Sequence, residues 1–554
     1  MILPQWTEKY NTAQGGRDFL GYMNVGVIML ERLLPGISNI TDRLRYYSFF
    51  SWVLYRFIKS DHPKNNKNYK KYLKIKSLAF LYANGFLHQD SSKVGLNGIE
   101  IFRTDIKNNG EKETYEWDDA FVSKYKDNYW IYSQKMKQVG ITADIEGADF
   151  IGLTKTYGKS LAEAYEDNIK DTKYFKKYCD KKDNNIPADV LKEYAEKCSV
   201  TNLHISIKEQ QLLQDIIFRP EKISKELNDF SVYYSDNPPN GARARRESLL
   251  LMLDMVEQKG DQSFDYEDFQ KIVLYSNVQN LGYKSNKKLV NCLEYWRIFQ
   301  ARQLLIYAIE SYFSVMTEVV YNRNIDLSAF IRELNNLTED GFQSVNDNYE
   351  QELSIDTKLK DLVKIISAGK TGSDFDKSCN LESKINEWDV YKNVQKNIKS
   401  NNNKDCLAHL VYLLSVLYLR FNYYRVNNSP YWDFGRIGET VSLSIDDFFL
   451  GFEKLTDKDL KIKDMVEWIA KELVIKQHCR VALAKLSWYK NNTFHFEYSA
   501  GRIKGIKEAR PNINAPKFEN VINFLEDLNL VERRNEKKVS ITIKGKKILN
   551  EHTK

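Results

Sequence analysis

The sequence predicts a mainly α protein, a multi-domain helical body with a C-terminal winged-helix module (α plus a short β-hairpin). Three observations carry this. Only 10 Pro and 25 Gly interrupt 554 residues, which favours long helices. Apolar residues recur at helical spacing through the long segments. From Lys517 to Leu549 (KFENVINFLEDLNLVERRNEKKVSITIKGKKIL) the spacing changes from helical to alternating within one short run. The length exceeds what one core fills. The expected domains are 1–185, mainly helical with short strands; 186–463, helical; and 464–554, a helix followed by the winged helix.

In chain order, Pro35 and Gly36 break the first helical stretch, and Ser38, Asn39 or Thr41 is placed to cap the next one. That helix carries Tyr46, Phe49, Phe50, Val53 and Phe57 at helical spacing and is apolar nearly all round, so it is expected at the centre of the N-terminal domain. Arg43 and Arg45 are expected at its solvated or functional end. Lys64 to Lys76 (KNNKNYKKYLKIK) is basic with interleaved Tyr, which suits either a phosphate-facing surface or a solvated helix start. Leu96 to Ile106 and Ile141 to Leu153 have room for short strands. Lys181 to Pro187 reads as a linker.

Ser235 to Arg246 (SDNPPNGARARR) reads as a turn-rich loop presenting Arg243, Arg245 and Arg246. These three form a second candidate phosphate-binding group; snorkelling or pairing with local acids is the competing reading. Tyr295 to Val320 is the longest predicted helix. Leu407 to Leu419, the longest apolar run, is interrupted by His409 and too short to cross a bilayer. The six cysteines never take metal-ligand spacing and read as reduced.

Catalytic motifs fail on inspection. Ser367 to Thr371 (SAGKT) resembles the end of a P-loop, but Lys364 stands where the first glycine is needed and the preceding run is helical. Asp374, Asp376, Glu382 and Lys384 have a nuclease-like order without strands to converge them on Mg²⁺. The seven histidines show no ligand spacing. No cofactor or metal is called for.

The C-terminal segment stands apart. Residues 485–554 hold 15 Lys/Arg against 8 Asp/Glu, which equals the whole formal net charge of +7. Phe518, Val521, Ile522, Leu525 and Leu528 form an apolar helical stripe, and Val539, Ile541 and Ile543 alternate as a strand. Lys517, Arg533, Arg534, Lys537, Lys538, Lys544, Lys546 and Lys547 are the expected DNA-binding residues. A basic wing beside a groove-entering helix is how such modules divide affinity from sequence choice.

Three stretches, LLPGISNITDRLRYYSFFSWVLYRF, YWRIFQARQLLIYAIESYF, and VIKQHCRVALAKL with TFHFEY and the C-terminal module, resemble a loose group of large helical bacterial proteins. That group, largely uncharacterised, comes from anti-phage defence and mobile-element loci and ends in a winged helix. The resemblance implies a bacterial host and a role in defence, and carries over no functional residue. The leading expectation is a cytoplasmic, DNA-associated accessory or sensor component. It would bind duplex DNA through the basic module and a protein partner from the same locus through the helical body, without a membrane. A protein-interaction scaffold with the winged helix docked on its partner, and a metal-dependent nuclease with a dispersed site, are the alternatives.

Overall fold

The computed structural model describes residues 18–39, 42–89, 95–96, 98–109, 112–117, 122, 129–144, 151–155, 157–180, 185–218, 241–260, 262–276, 283–436, 444–489, 492–513, 517–535 and 538–553. The chain is mainly helical, with small antiparallel sheets. It divides into two compact units, each built from separated stretches: Met1–Met29, Asp268–Lys284 and Leu293–Asn514 in the first, Leu30–Glu267, Ser285–Cys292 and Ala515–Lys554 in the second. This differs from consecutive domains at 1–185, 186–463 and 464–554. The reason is long-range bonding within each unit. The Tyr22 hydroxyl donates to the Leu473 carbonyl at 3.0 Å in the first, and Arg43 donates to Asp527 at 2.7 Å in the second.

The first unit is organised on the Val290–Val320 helix and the Asn403–Val426 helix, both buried on nearly every face. Asn403–Val426 packs against Leu327–Tyr349, Glu387–Lys399 and Gly372–Ser378. It extends the apolar run read from sequence to 24 residues, and its length and composition now match a membrane span, with 89% of the apolar window buried in protein. A layer of charge lies among these helices. Arg420 donates to Asp376 at 2.8 Å, to Glu387 at 3.0 Å and to the Cys379 carbonyl at 2.9 Å, and Arg297 donates to Asp376 at 2.9 Å. Both guanidinium groups are fully buried, so every acceptor they meet stands in for lost water. A three-stranded sheet orders Asn324–Asp326, Arg502–Gly505 and Phe496–Ser499, with Ala500 and Gly501 both at positive φ in the two-residue hairpin turn.

The second unit has the Arg45–Lys59 helix at its centre, as its all-round apolar pattern predicts. Phe49 stacks on Phe80 of the Asn66–Leu87 helix with ring centroids 4.1 Å apart, and Trp52 donates to Glu166 at 3.0 Å. Arg45 is not at a solvated end. It is fully buried, paired with the equally buried Glu209 at 3.1 Å, and donates to the Ser199 carbonyl at 2.6 Å. The N-cap residue of this helix is Leu44 rather than Ser38 or Asn39, and its N–H is taken by the Asp527 carboxylate at 2.9 Å; Thr41 lies outside the described residues. Leu96 to Ile106 enters a helix, Ile99–Asn109, whereas Thr142–Asp144 and Ile151–Leu153 do pair as strands. The linker read at Lys181 to Pro187 ends in a strand, Asn185–Pro187, paired with Thr114–Glu116; residues 181–184 lie outside the described set.

Candidate nucleic-acid interface

The basic C-terminal segment is part of the second unit. Helix Phe518–Asp527 leads through Leu528–Leu530 into strand Val531–Asn535, which pairs antiparallel with Lys538–Ile541, and helix Ile543–Thr553 ends the described chain. Phe518, Val521, Ile522, Leu525 and Leu528 are buried, as the apolar stripe predicts, and Phe524 is buried with them. Asn529 turns the chain at φ +58°, the left-handed conformation that ends helices and that Asn tolerates. The alternation read through Val539, Ile541 and Ile543 stops early. The Thr542 hydroxyl accepts from the Gly545 N–H at 3.0 Å, which starts a helix, and Ile543 stands 91% exposed in its first turn.

Helix Phe518–Asp527, the element expected to enter a groove, is enclosed instead. Phe518 meets Phe264 and Tyr266, Phe524 meets Tyr47 edge-on, and Asp527 takes Arg43 and the Leu44 N–H. Burial pushes the Asp527 carboxyl up to about 6, against the lowering effect of Arg43. The outward positions left on this helix include Glu519 and Glu526, the wrong sign for DNA.

The expected DNA-binding residues separate into two sets. Lys517 is 3% exposed and paired with Glu31 at 2.7 Å, its ammonium pushed down to about 8 by burial, so it is a structural lysine and not a DNA contact. Lys544 is half-buried and donates to the Leu528 carbonyl at 2.8 Å and to Gln210 at 3.1 Å. Arg533 lies back on Glu519 at 3.2 Å and Asn523 at 2.9 Å. These three spend their donors on the fold. Arg534, Lys538, Lys546 and Lys547 are exposed. The strand register slips between Arg533 and Asn535, so Arg534 is the extra residue of a bulge, turned out beside Lys538 at the hairpin tip. Lys546 has Glu257 at 4.0 Å, too long and too exposed to hold it. Lys537 lies outside the described residues.

The second candidate group does not assemble. Arg243, Arg245 and Arg246 are not on a loop but in helix Gly241–Lys259; residues 235–240 lie outside the described set. Arg245 is fully buried and donates to the carbonyls of Pro35 at 3.1 Å, Gln138 at 3.4 Å and Ile216 at 3.4 Å, which excludes a phosphate. Arg243 pairs with Glu247 at 2.6 Å one turn on, and Arg246 is half-buried. Arg243 and Arg246, three residues apart, share one side of the helix, and Arg245 points away from both into the fold.

The nuclease-like residues do not converge either. Asp376 is claimed by Arg297 and Arg420, and Lys384 pairs with Glu350 on the surface. The SAGKT run follows a helix, Leu359–Ser367, where a phosphate loop needs a strand. Among the described residues no group of three or more His, Cys, Asp or Glu is placed to hold a metal ion.

Sequence reasoning missed one titratable cluster in the first unit. Glu310 is 1% exposed on the Val290–Val320 helix, accepts from the Asn512 N–H at 2.7 Å and is pushed up to about 8 by burial. His478 and His495, linked through the His495 N–H at 3.0 Å, are held down to about 3 and about 4 by burial, so both are neutral imidazoles. His495 borders an open cavity of about 330 Å³ with Phe19, Lys507 and Asn512. The signal in the sequence was a Glu within the apolar stretch of that helix, one of three it holds with Glu294 and Glu318.

No family model, curated protein or solved structure matches this chain.

Proposed function

We propose that this chain is a DNA-associated accessory or sensor component of a bacterial anti-phage defence system, and that residues 517–553 act as a winged-helix-like module gripping the duplex by its phosphates. The observation that carries this reading is the outward set Arg534, Lys538, Lys546 and Lys547, exposed on one hairpin and the helix that follows it. Because helix Phe518–Asp527 is enclosed, the grip relies on backbone contacts and carries little sequence choice. The defence setting rests on the resemblance of the three stretches quoted above.

The test is a duplex titration at several salt concentrations with the full chain and with R534Q/K538Q/K546Q/K547Q. Four lost phosphate contacts make the slope of log K against log salt shallower by about 3 to 4. Methylating guanine N7 in the duplex leaves affinity unchanged, since no helix reads the major groove. An unchanged slope in the variant contradicts the proposal.

A second reading, a protein-docking scaffold, is favoured by Ile543, which stands 91% exposed beside Lys546 and Lys547. Under it, Ile543→Ser releases a partner retained from the native host while duplex affinity is unaltered.

A further inference from the structure

The Asn66–Leu87 helix of the second unit carries a run of like charge with no acid in the helix beside it. Its sequence, NKNYKKYLKIKSLAFLYANGFL, contains Lys67, Lys70, Lys71, Lys74 and Lys76 and no Asp or Glu. Lys76 belongs to the fold, being 5% exposed with its ammonium on the Cys179 carbonyl. Lys64, just before the helix, is likewise engaged, by the carbonyls of Phe57 and Ser60. The remaining four form a row. Lys67, Lys70 and Lys71 are exposed and Lys74 is half-buried, at i, i+3, i+4 and i+7, which is one helical face.

This layout opposes helix stability twice. Like charges three and four residues apart repel, and Lys67 lies in the first turn of the helix, where the macrodipole is positive and acids are favoured. The helix itself contains no acid to offset it. The first turn holds no acid, and Lys67 and Lys70 have no ion pair among the described residues. The helix does not need the row to form, because Asn65 caps it by accepting from the Asn68 N–H at 2.9 Å. Tyr69, Tyr72, Leu73 and Leu78 are buried, Tyr69 and Tyr72 beside Phe57, and the helix packs against Ile99–Asn109 and Ala188–Cys198. A run of like charge that breaks a local rule of helix design is the kind of place where function is favoured over stability.

We propose that this lysine face is a second anion-binding surface, separate from the C-terminal module, that holds the phosphate backbone of a nucleic acid. From Lys67 to Lys74 the row is about 10 Å long, and a duplex presents about six phosphate charges over that distance. Tyr69 and Tyr72 are buried, so the face has no ring on which to stack bases. The exposed large apolar side chain of this helix is Leu87 at its far end, about 20 Å along the axis from Lys74, so none stands within the row to enter a bilayer. Phosphate contact without base readout is the chemistry that remains.

The test uses the full chain, a short labelled duplex and a series of NaCl concentrations. K67Q/K70Q/K71Q/K74Q makes the salt slope shallower by about 3 to 4, and it does so both alone and in the R534Q/K538Q/K546Q/K547Q background. A slope equal to that of the parent chain in both backgrounds overturns the proposal, whatever the C-terminal variant does. In the unaltered chain, duplex protects Lys67 and Lys70 from acetylation; equal acetylation with and without duplex overturns it as well. The same variant unfolds at a higher temperature than the parent, because repulsion has been removed. A lower Tm contradicts the claim that the row works against the fold. Retention on phosphatidylserine vesicles with no change in duplex slope would assign the face to lipid and reject nucleic acid.

Discussion

The buried arginines of the first unit and the outward lysines of the second show two uses of the same charge. Arg297 and Arg420 are fully buried, and between them they take the carboxylates of Asp376 and Glu387 and the backbone carbonyls of Leu274, Asp376 and Cys379, so nearly every donor has a partner. Lys67, Lys70 and Lys547 are exposed and have no ion pair among the described residues. A cation surrounded by converging acceptors is part of the architecture. A cation set against its own helix dipole and its like-charged neighbours is available to a ligand. Residue type does not distinguish them, since Lys517 and Lys546 stand in the same basic segment and do opposite work.

The comparison breaks most sharply at Arg420. Arg420→Met leaves Asp376 and Glu387 without their shared partner in a dry site, and the expected loss is about 3 to 5 kcal/mol, read from the denaturant midpoint. A loss under about 1 kcal/mol, the range of exposed pairs, would erase the distinction between the two uses of charge.

Next in size is the clasp in the second unit. Asp527→Ala removes the acceptor of the Leu44 N–H and the partner of Arg43, with an expected cost of about 2 kcal/mol. Hydrogen exchange should quicken at the start of the Arg45–Lys59 helix. Unchanged exchange there would mean that the carboxylate does not act as a cap.

The pH response of Glu310 is smaller and has a definite sign. Its carboxyl is pushed from 4.5 up to about 8, so the native state holds the proton more tightly than the unfolded chain. Its contribution is full below about pH 4.5 and is lost as pH rises toward 8. Denaturant midpoints across that window should fall for the parent chain and fall less steeply for Glu310→Gln. Parallel profiles would show that Glu310 is not held protonated.

At the lower end, Arg243→Ala breaks an exposed pair one helical turn apart and should change stability by about 0.5 kcal/mol or less. A larger change would show that the Arg243 to Arg246 run does more than Arg245's buried bonds suggest.

Local pattern was legible where local physics decides. The Arg45–Lys59 helix, the core of Val290–Val320 and the helix and hairpin from Phe518 to Ile541 all follow from apolar period. What was not legible depends on partners far away in sequence. Leu44 is capped by a residue 483 positions distant, and Arg45 finds Glu209 across 164. Lys517 and Lys544 turn inward because Glu31 and Gln210 await them. No spacing rule within the C-terminal segment contains that information. The same long-range bonds explain why the units draw on separated stretches of chain.

The most direct measurement is one salt titration with two variants of the C-terminal module, one outward and one inward. R534Q/K538Q/K546Q/K547Q should bind duplex with a slope shallower by about 3 to 4 and a nearly unchanged Tm. Lys517→Met should keep the parent slope. If the inward variant loses slope while the outward one keeps it, the assignment of these cations to fold and ligand is wrong.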